Sequence, residues 1–499
     1  SQGHRNSGWT CLSIDMVNHM VGAADTYGSA MGLGAATNQG YEGTGKPYQM
    51  PYPCPDGLMV CGAWVYDHLP YPLHEPRPPQ RLDLHDMFPT SIYNAFTIMS
   101  PNWFDLLEQF KIPYRPEIMI NFGSNSIMTM GNAEAVTNNF LMKFDFIFSF
   151  QLYITEFEDA VGDIVLPDAC YLERYTPAVS FPSTFSHPQG EDDWGWTYRQ
   201  PAVEPLFERR DFNEVMAEIM DKLGLLDKYL VGLTETVPIR YGGEMSEEKK
   251  FEHLKLESQD DKGYRKLWTD ITHNLLSDRF GEEHGLEYFK KRGLFTWPKK
   301  KEDVYWKWFV PVRVPIYFEY FVDGGDKIQA MCEQFDAPDF MPWKEFFQPL
   351  AEWFPCPTHD ENLPPEYDMY TFYWRAIMHC NSLTQQNPWL DELSQEDPYV
   401  YALQVHRDTA AQKGLKEGEA VWLENPEGHR VKVWLALTDC IEPHHVAVAA
   451  VAGHWTEYQP IAKDKGTFFN DLVEMDAAHT DPLTMGQDIC CRVKMYKAE

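Results

Sequence analysis

Residues 117–174 constrain the fold of this chain more than any other stretch. An apolar run ending in a glycine and asparagine turn, MINFGSNSIMTMGN (119–132), leads into a helical pattern, and FDFIFSFQLYI (144–154) follows as a second apolar run. Next comes TEFEDAVGDIVLPDACYLER (155–174), with a short strand ending in Leu-Pro. Apolar strands separated by helix-length segments require crossover connections, so they predict a parallel sheet with right-handed crossovers. The order strand, turn, helix, strand and then a further short strand makes half of a doubly wound nucleotide-binding domain. The counterpart half is not found elsewhere in the sequence.

Composition narrows the function classes. The 499 residues suffice for several domains, and 44% apolar with 14% aromatic content supports large cores. The formal charge of -33, from 42 basic and 75 acidic side chains, would repel a polyanion, so nucleic acid is excluded as a partner. No run reaches the length of a spanning helix, and no membrane span is expected. The ten cysteines include Cys54 and Cys61, and the adjacent Cys490 and Cys491, but no close Cys-x-x-Cys pair. Ordinary thiols are the expectation, not zinc or iron–sulfur ligands. Neither a signal peptide nor a twin-arginine segment is seen, and cytoplasm and periplasm both stay open.

The organisation reads as four segments. Residues 1–90 start with the turn SQGHRNSGW, pass through a helical pattern (LSIDMVNHMVGAADTYG), and become rich in Pro, Tyr and His. Residues 91–225 carry the α/β half-domain: helix NWFDLLEQF, strand EIMINFG, helix NAEAVTNNFLMKF, strand FDFIFSF, strand DIVLP and a closing helix, FNEVMAEIMDKLG. Residues 226–365 are charged and aromatic, with the run KKRGLFTWPKKKEDVYWKW, and read as a solvated insertion. Residues 366–499 hold short strands and turns. AVWLENPEGHRVKVWLAL is a hairpin signal and HRDTAAQKGLKEGEAVWL a helix, glycine stop and strand, together suiting a small β-barrel.

Four ordered blocks give the chain a resemblance to a known family. They are GSNSIMTMGN with TEFEDAVGDIVLPDACYLER, then AVEPLFERRDFNEVMAEIMDKLG (202–224), then YWRAIMHCNSLTQQNPWL (373–390), and last HRDTAAQKGLKEGEAVWL with GHW (453–455) and GTFFNDL (466–472). Together they resemble the C-terminal two-thirds of the catalytic subunit of the molybdopterin-guanine-dinucleotide oxidoreductases, the dimethyl-sulfoxide-reductase superfamily. The resemblance implies a partial doubly wound parallel sheet plus a C-terminal six-stranded double-psi barrel. It also implies two pterin guanine dinucleotides holding one molybdenum or tungsten atom. QGHRNSGW, RAIMHCNS and FFNDLVEMDAAHTDP are similar to acetylene hydratase and arylacetyl-CoA oxidoreductases within that superfamily.

Such a cofactor needs backbone amides, small residues and side-chain amides around its pyrophosphate, ribose and guanine. Gly123 would let the backbone approach a phosphate at a strand end. Asn121 and Asn125, with Ser124 between them, offer donors and acceptors for ribose or guanine. A plain tight turn is the alternative reading of all four. The resemblance further places contacts at Phe150 and Gln151, where many members have Ser-Asp, and at Arg174 and Asp211. Asp211 suits guanine N1 and N2, while Glu156 and Glu173 read as structural. The stretch Tyr373, Trp374, Arg375, Met378, His379, Cys380, Asn381 and Ser382 matches the segment that wraps a pterin in relatives, with Arg375 on a pyrophosphate. Thr384, His454, Trp455 and Asn470 complete the set in the barrel, and Gln2 and Asn6 match the loop beneath the metal.

Three features of the family's N-terminal third are not found: a four-cysteine [4Fe–4S] site, the first half of the dinucleotide domain and the protein ligand to the metal. The expectation is that a missing N-terminal portion or a second chain supplies them. A further expected partner is an iron–sulfur electron-transfer subunit. The activity implied is two-electron redox, oxygen-atom transfer or hydroxylation, on a small or aromatic organic substrate. A non-redox hydratase and a cofactor-free structural remnant are the alternatives.

Overall fold

The computed structural model describes residues 3–23, 100–112, 115–174, 193–236, 245–298, 317–337, 343–360, 362–450, 452–476, 478–484 and 486–498. Gln2, Cys54, Cys61 and the Pro-rich excursion lie outside them. The described residues fall into two compact units, divided at residues 15/16, 166/167 and 316/317. The division at 166/167 cuts the expected 91–225 segment.

The first unit carries the predicted parallel sheet. β1 (Ile118–Phe122) pairs in parallel with β2 (Phe146–Gln151), Ile118 opposite Phe146 and Phe122 opposite Phe150, and β3 (Ile164–Pro167) lies beside β2. The crossover NAEAVTNNFLMKF opens at Asn132, a left-handed residue whose side chain accepts from Ala135 N. It then widens to a π turn over Val136–Phe140, which buries Val136 and Phe140. Between β2 and β3, Thr155 and Glu158 form a capping box on the helix Glu156–Val161.

The second unit corrects the reading of 226–365 as a solvated insertion, because its described part has a core of its own. The strands β4 (Asp193–Thr197) and β5 (Leu294–Pro298) pair antiparallel. The long helix Asp261–Phe280 buries Tyr264, Leu267, Trp268, Ile271, Leu275 and Leu276 at helical spacing against Ala217, Leu230, Phe251 and Phe289. Of the run KKRGLFTWPKKKEDVYWKW, LFTWP is β5, and residues 299–316 lie outside the described residues.

The C-terminal part of the first unit is the expected six-stranded barrel. Its strands are β6 (Met369–Trp374), β7 (Leu403–His406), β8 (Ala420–Glu424), β9 (Arg430–Thr438), β10 (His445–Ala449) and β11 (Arg492–Lys497). They close in the order β10-β6-β11-β8-β9-β7. The predicted hairpin is β8–β9, antiparallel, with Gly428 at φ +94 completing its turn. Alternation puts Val421, Leu423, Val431, Val433 and Leu435 inside, and β6–β10 and β7–β9 pair in parallel across the longer connections. Closure leaves the barrel without an open edge, so its backbone groups are paired all round.

Candidate functional site

The end of β1 and the barrel loop after β10 meet at one carboxylate. Glu156 has no solvent exposure, and four donors converge on it. Asn125 Nδ2 donates at 2.8 Å, the backbone amides of Trp455 and Thr456 at 3.0 and 3.3 Å, and His454 Nδ1 lies 3.1 Å away. Burial on its own raises a carboxyl. Here the hydrogen bond and electrostatic attraction of His454, helped by the Asn125 amide, outweigh it and hold Glu156 down to about 2. Thr456 Oγ1 adds a 3.0 Å bond to Asp159, and Gln459 Nε2 reaches the Ile154 carbonyl at 3.3 Å.

A second carboxylate braces the loop from beneath. Asn121 is buried, and its Nδ2 donates to the Ser124 carbonyl, Ser149 Oγ and Glu158 Oε1 at 2.8, 2.9 and 3.1 Å. Gln151 Nε2 joins the Ser124 carbonyl and Glu158 at 3.3 and 3.4 Å. Asn121 and Gln151 thus shape the loop 123–125 from below, and Phe150 is buried beside them in β2. Gly123 takes φ +60 with open space where a Cβ would project. Its amide is committed to the Phe150 carbonyl at 3.0 Å, so the offer to a ligand is close approach and not an N–H.

Some buried polar atoms are left over. Asn125 Oδ1, Ser126 Oγ and His454 Nε2 are buried without a hydrogen-bond partner among the described residues. So are Trp374 Nε1 and both amide atoms of Gln385, at the end of β6 and in the turn that follows. Buried polar groups in folded proteins are almost always satisfied, so such orphans are candidate positions for a polar ligand. Side-chain amides, a hydroxyl, an imidazole, an indole N–H and an open glycine fit a dinucleotide with its heterocycles and ribose. The residues present fit the expected cofactor.

The other barrel residues are placed as follows. His379 sits between two hydroxyls, Nδ1 to Thr384 Oγ1 at 3.0 Å and Nε2 to Ser394 Oγ at 2.7 Å, and Cys380 N donates to the same Thr384 oxygen at 3.0 Å. His379 and Thr384 therefore fix the turn after β6. Arg375 is exposed, with its guanidinium 5.9 Å from the Tyr373 ring, and Cys380 is exposed too. Met378 packs on Ala376, Val400 and Ala449. Ser382 is half-buried, and the Asn381 side chain lies outside the described residues. Trp455 is half-exposed, its ring 5.3 Å from Phe468. Asn470 Nδ2 donates to the Met128 carbonyl at 2.8 Å and its carbonyl accepts from Asn132 N at 3.0 Å, pinning the β1 loop to the barrel. Asn6 brackets the Phe354 backbone, accepting from its N–H and donating to its carbonyl, both at 2.7 Å.

In the second unit, Arg174 pairs with Asp168 at 3.2 Å, and Asp211 caps the helix Phe212–Lys222 by accepting from Asn213 N at 2.8 Å. Burial raises Asp168 to about 6 against Arg174, with the Asp211 charge adding to the rise. Glu214 rises to about 7 for the same first reason, although Arg265 opposes it. Asp211, also raised by burial, lines a small cavity of about 20 Å³ with Glu214, Arg265 and Trp268. Glu173 accepts from Cys170 N, Leu206 N and Arg209 and holds that loop together.

Comparison with known proteins decides the barrel. Residues 369–489 match the family of the molydopterin dinucleotide binding domain. The chain is 24% identical over 297 residues to the thiosulfate reductase molybdopterin-containing subunit of Salmonella typhimurium, covering 57% of this chain and 31% of the relative. It is 23% identical over 385 residues to a sulfite dehydrogenase subunit of Allochromatium vinosum, covering 68% of this chain and 37% of the relative. The chain thus spans about a third of the length of these relatives. The acetylene hydratase of Pelobacter acetylenicus shares the fold, with a TM-score of 0.50 at 16% identity, over 90% of this chain and 56% of the hydratase. Sequence reasoning read Glu156 as structural and passed over Ser126 and Gln385. Only the apolar neighbours of Ser126 hinted at its burial.

Proposed function

We propose that this chain is part of the catalytic subunit of a bis-pterin oxidoreductase holding molybdenum or tungsten. The observation that carries the reading is the junction at Glu156. There the molydopterin binding barrel meets the end of a parallel strand, and the orphaned atoms of Asn125, Ser126 and His454 gather. When bound, the pterin–metal group supplies two-electron redox chemistry. The residues of this chain hold and orient it: Gly123 permits close approach, Asn125, Ser126 and His454 meet its polar edges, and Trp374 and Gln385 do so at the end of β6. Asn121, Gln151 and Glu158 keep the loop in shape. Asp211 and Arg174 are further cofactor candidates in the second unit.

The chain covers about a third of its relatives. On this reading, protein beyond it contributes the metal ligand, the rest of the dinucleotide domain and an iron–sulfur path for electrons. The relatives are named for thiosulfate and sulfite, which sets a small sulfur oxyanion beside the organic substrate that the resemblance implied. Two-electron chemistry serves either: oxygen-atom transfer for sulfite, reductive cleavage of the S–S bond for thiosulfate, and hydroxylation for an organic carbon. The test is elemental and pterin analysis of the native complex, followed by turnover assays with thiosulfate, sulfite, acetylene and arylacetyl thioesters. About one molybdenum or tungsten per chain with guanine nucleotide released on denaturation is expected. Absence of both metal and pterin sinks the reading.

A further inference from the structure

The parallel sheet carries its apolar and polar residues on the faces opposite to those a one-sided sheet needs. In the β1–β2 register, Ile118, Ile120 and Phe122 stand opposite Phe146, Phe148 and Phe150, so these six side chains share one face. Met119 and Asn121 share the other face with Ile147, Ser149 and Gln151. A sheet covered on one side only keeps its apolar residues inside and its polar ones in water. Here Asn121, Ser149 and Gln151 are buried, while Ile118, Ile120 and Phe122 are 59, 44 and 43% exposed. Phe146 and Phe148 are half-buried, and the rings of Phe146, Phe148 and Phe150 follow one another along β2 at 6.2 and 6.0 Å. The open face is the more apolar of the two.

The hand of the connections explains which face is bare. β1, β2 and β3 lie side by side in chain order, so right-handed crossovers advancing in one direction put both connections on a single face. Glu158, in the second connection, accepts from Asn121 Nδ2 and Ser149 Oγ, which fixes that face as theirs. Helices reach the opposite face where the strand order reverses and the chain winds the other way from β1. On that side β1 has no neighbouring strand among the described residues, and Ile118–Phe122 contains neither a proline nor a charge to block one.

We propose that the face of Ile118, Ile120, Phe146 and Phe148 is a docking surface for an amphipathic helix of polypeptide outside this sequence, joined to a strand that extends the sheet beside β1. The proposal rests on the functional reading above, in which protein beyond this chain completes the dinucleotide domain. The relatives argue for this occupant, because the chain covers only 31 and 37% of their length and 56% of the hydratase that shares its fold. A second copy of this chain would have to pack sheet on sheet, whereas parallel sheets are covered by helices. The docking helix presents apolar residues at i, i+3, i+4 and i+7 to the sheet and polar ones to water.

The native complex is the material for the test. A benzophenone amino acid at position 120 or 148 is photolysed and the cross-linked peptides are sequenced. Both positions should capture a peptide from outside this sequence with apolar residues at helical spacing. Cross-links confined to this sequence, within one chain or to a second copy, or no cross-link at all, overturn the proposal. Ile120→Gln should speed hydrogen exchange in the captured helix at least about tenfold, the effect of leaving one buried aliphatic contact unmade. Leu393→Gln, which alters an exposed leucine of the helix Pro388–Glu396, should leave that exchange unchanged. No acceleration with Ile120→Gln, or the same acceleration with Leu393→Gln, also overturns it. Protection of β8 and β9 shows that each variant is folded, and the cross-links decide for a variant that loses it. Metal and pterin analysis of the same preparation separates the two readings. An outside helix captured in a complex without pterin or metal sinks the functional reading and keeps the surface, whereas full pterin and metal with cross-links confined to this sequence does the reverse.

Discussion

Glu156 and Glu214 are both buried carboxylates, at 0% and 7% exposure, yet burial has opposite outcomes for them. Glu156 is held at about 2 and Glu214 is pushed to about 7. Glu156 receives two backbone N–H groups, an amide and an imidazole, all aimed at it by a short helix start and a loop from the barrel. Glu214 has Arg265 at 3.2 Å on one oxygen, its other oxygen has no partner among the described residues, and the Asp211 charge adds to its cost. A single partly exposed guanidinium does not replace the hydration that burial removes, whereas several fixed donors do. The first arrangement suits a site that must hold its shape before a ligand arrives.

Removing Glu156 should give the largest effect. Glu156→Leu strands two backbone amides, Asn125 Nδ2 and His454 Nδ1, at an expected cost of about 3–5 kcal/mol. Urea unfolding measures it, and hydrogen exchange should accelerate in peptides covering 454–459. The pH sign follows from the lowered value: the stabilisation is present above the unfolded carboxyl value of 4.5 and is lost as pH falls from there toward about 2. A variant as stable as the parent at neutral pH would break the contrast with Glu214.

Glu214 should respond in the other direction. Its folded value lies above the unfolded 4.5, so stability falls as pH rises from 4.5 to about 7 and stays low beyond. Glu214→Gln removes that limb. It should be more stable than the parent by about 1–2 kcal/mol at pH 8 and no better at pH 4, where the native carboxyl is protonated. Equal stability changes at the two pH values would show that the Arg265 pair satisfies Glu214 after all.

How far the sequence revealed this contrast depends on the distance between partners. The strands β1, β2 and β3, the hairpin β8–β9 and the glycine stops at Gly224 and Gly414 follow from local periodicity and turn chemistry, and the structure has them where expected. The capping box of Thr155 and Glu158 is equally local. Glu156 lies one position into that same helix, but Asn125 is 31 residues away and its other three partners 298 to 300, so no window could mark it as more than a helix-start acid. His379 was read toward a pterin, while its ring is held by hydroxyls 5 and 15 positions on. The core of the second unit is a different case. Tyr264, Leu267, Trp268, Ile271 and Leu275 stand at helical spacing in plain view, and the surrounding charge masked a signal that was present.

The smallest effect is expected at Asp211, where two roles overlap. In the structure its Oδ1 is the N-cap acceptor for Asn213 N at 2.8 Å and also takes Asn213 Nδ2 at 2.9 Å. Asn caps a helix about as well as Asp, so Asp211→Asn should change stability by less than about 0.5 kcal/mol, while Asp211→Ala should cost about 1 kcal/mol. A guanine reader needs more than a cap, because N1 and N2 present donors to which a carboxylate offers two acceptor oxygens and an amide only one. Asp211→Asn should therefore lower guanine-nucleotide content in the native complex while unfolding like the parent. Loss of stability without loss of nucleotide would reduce Asp211 to a cap.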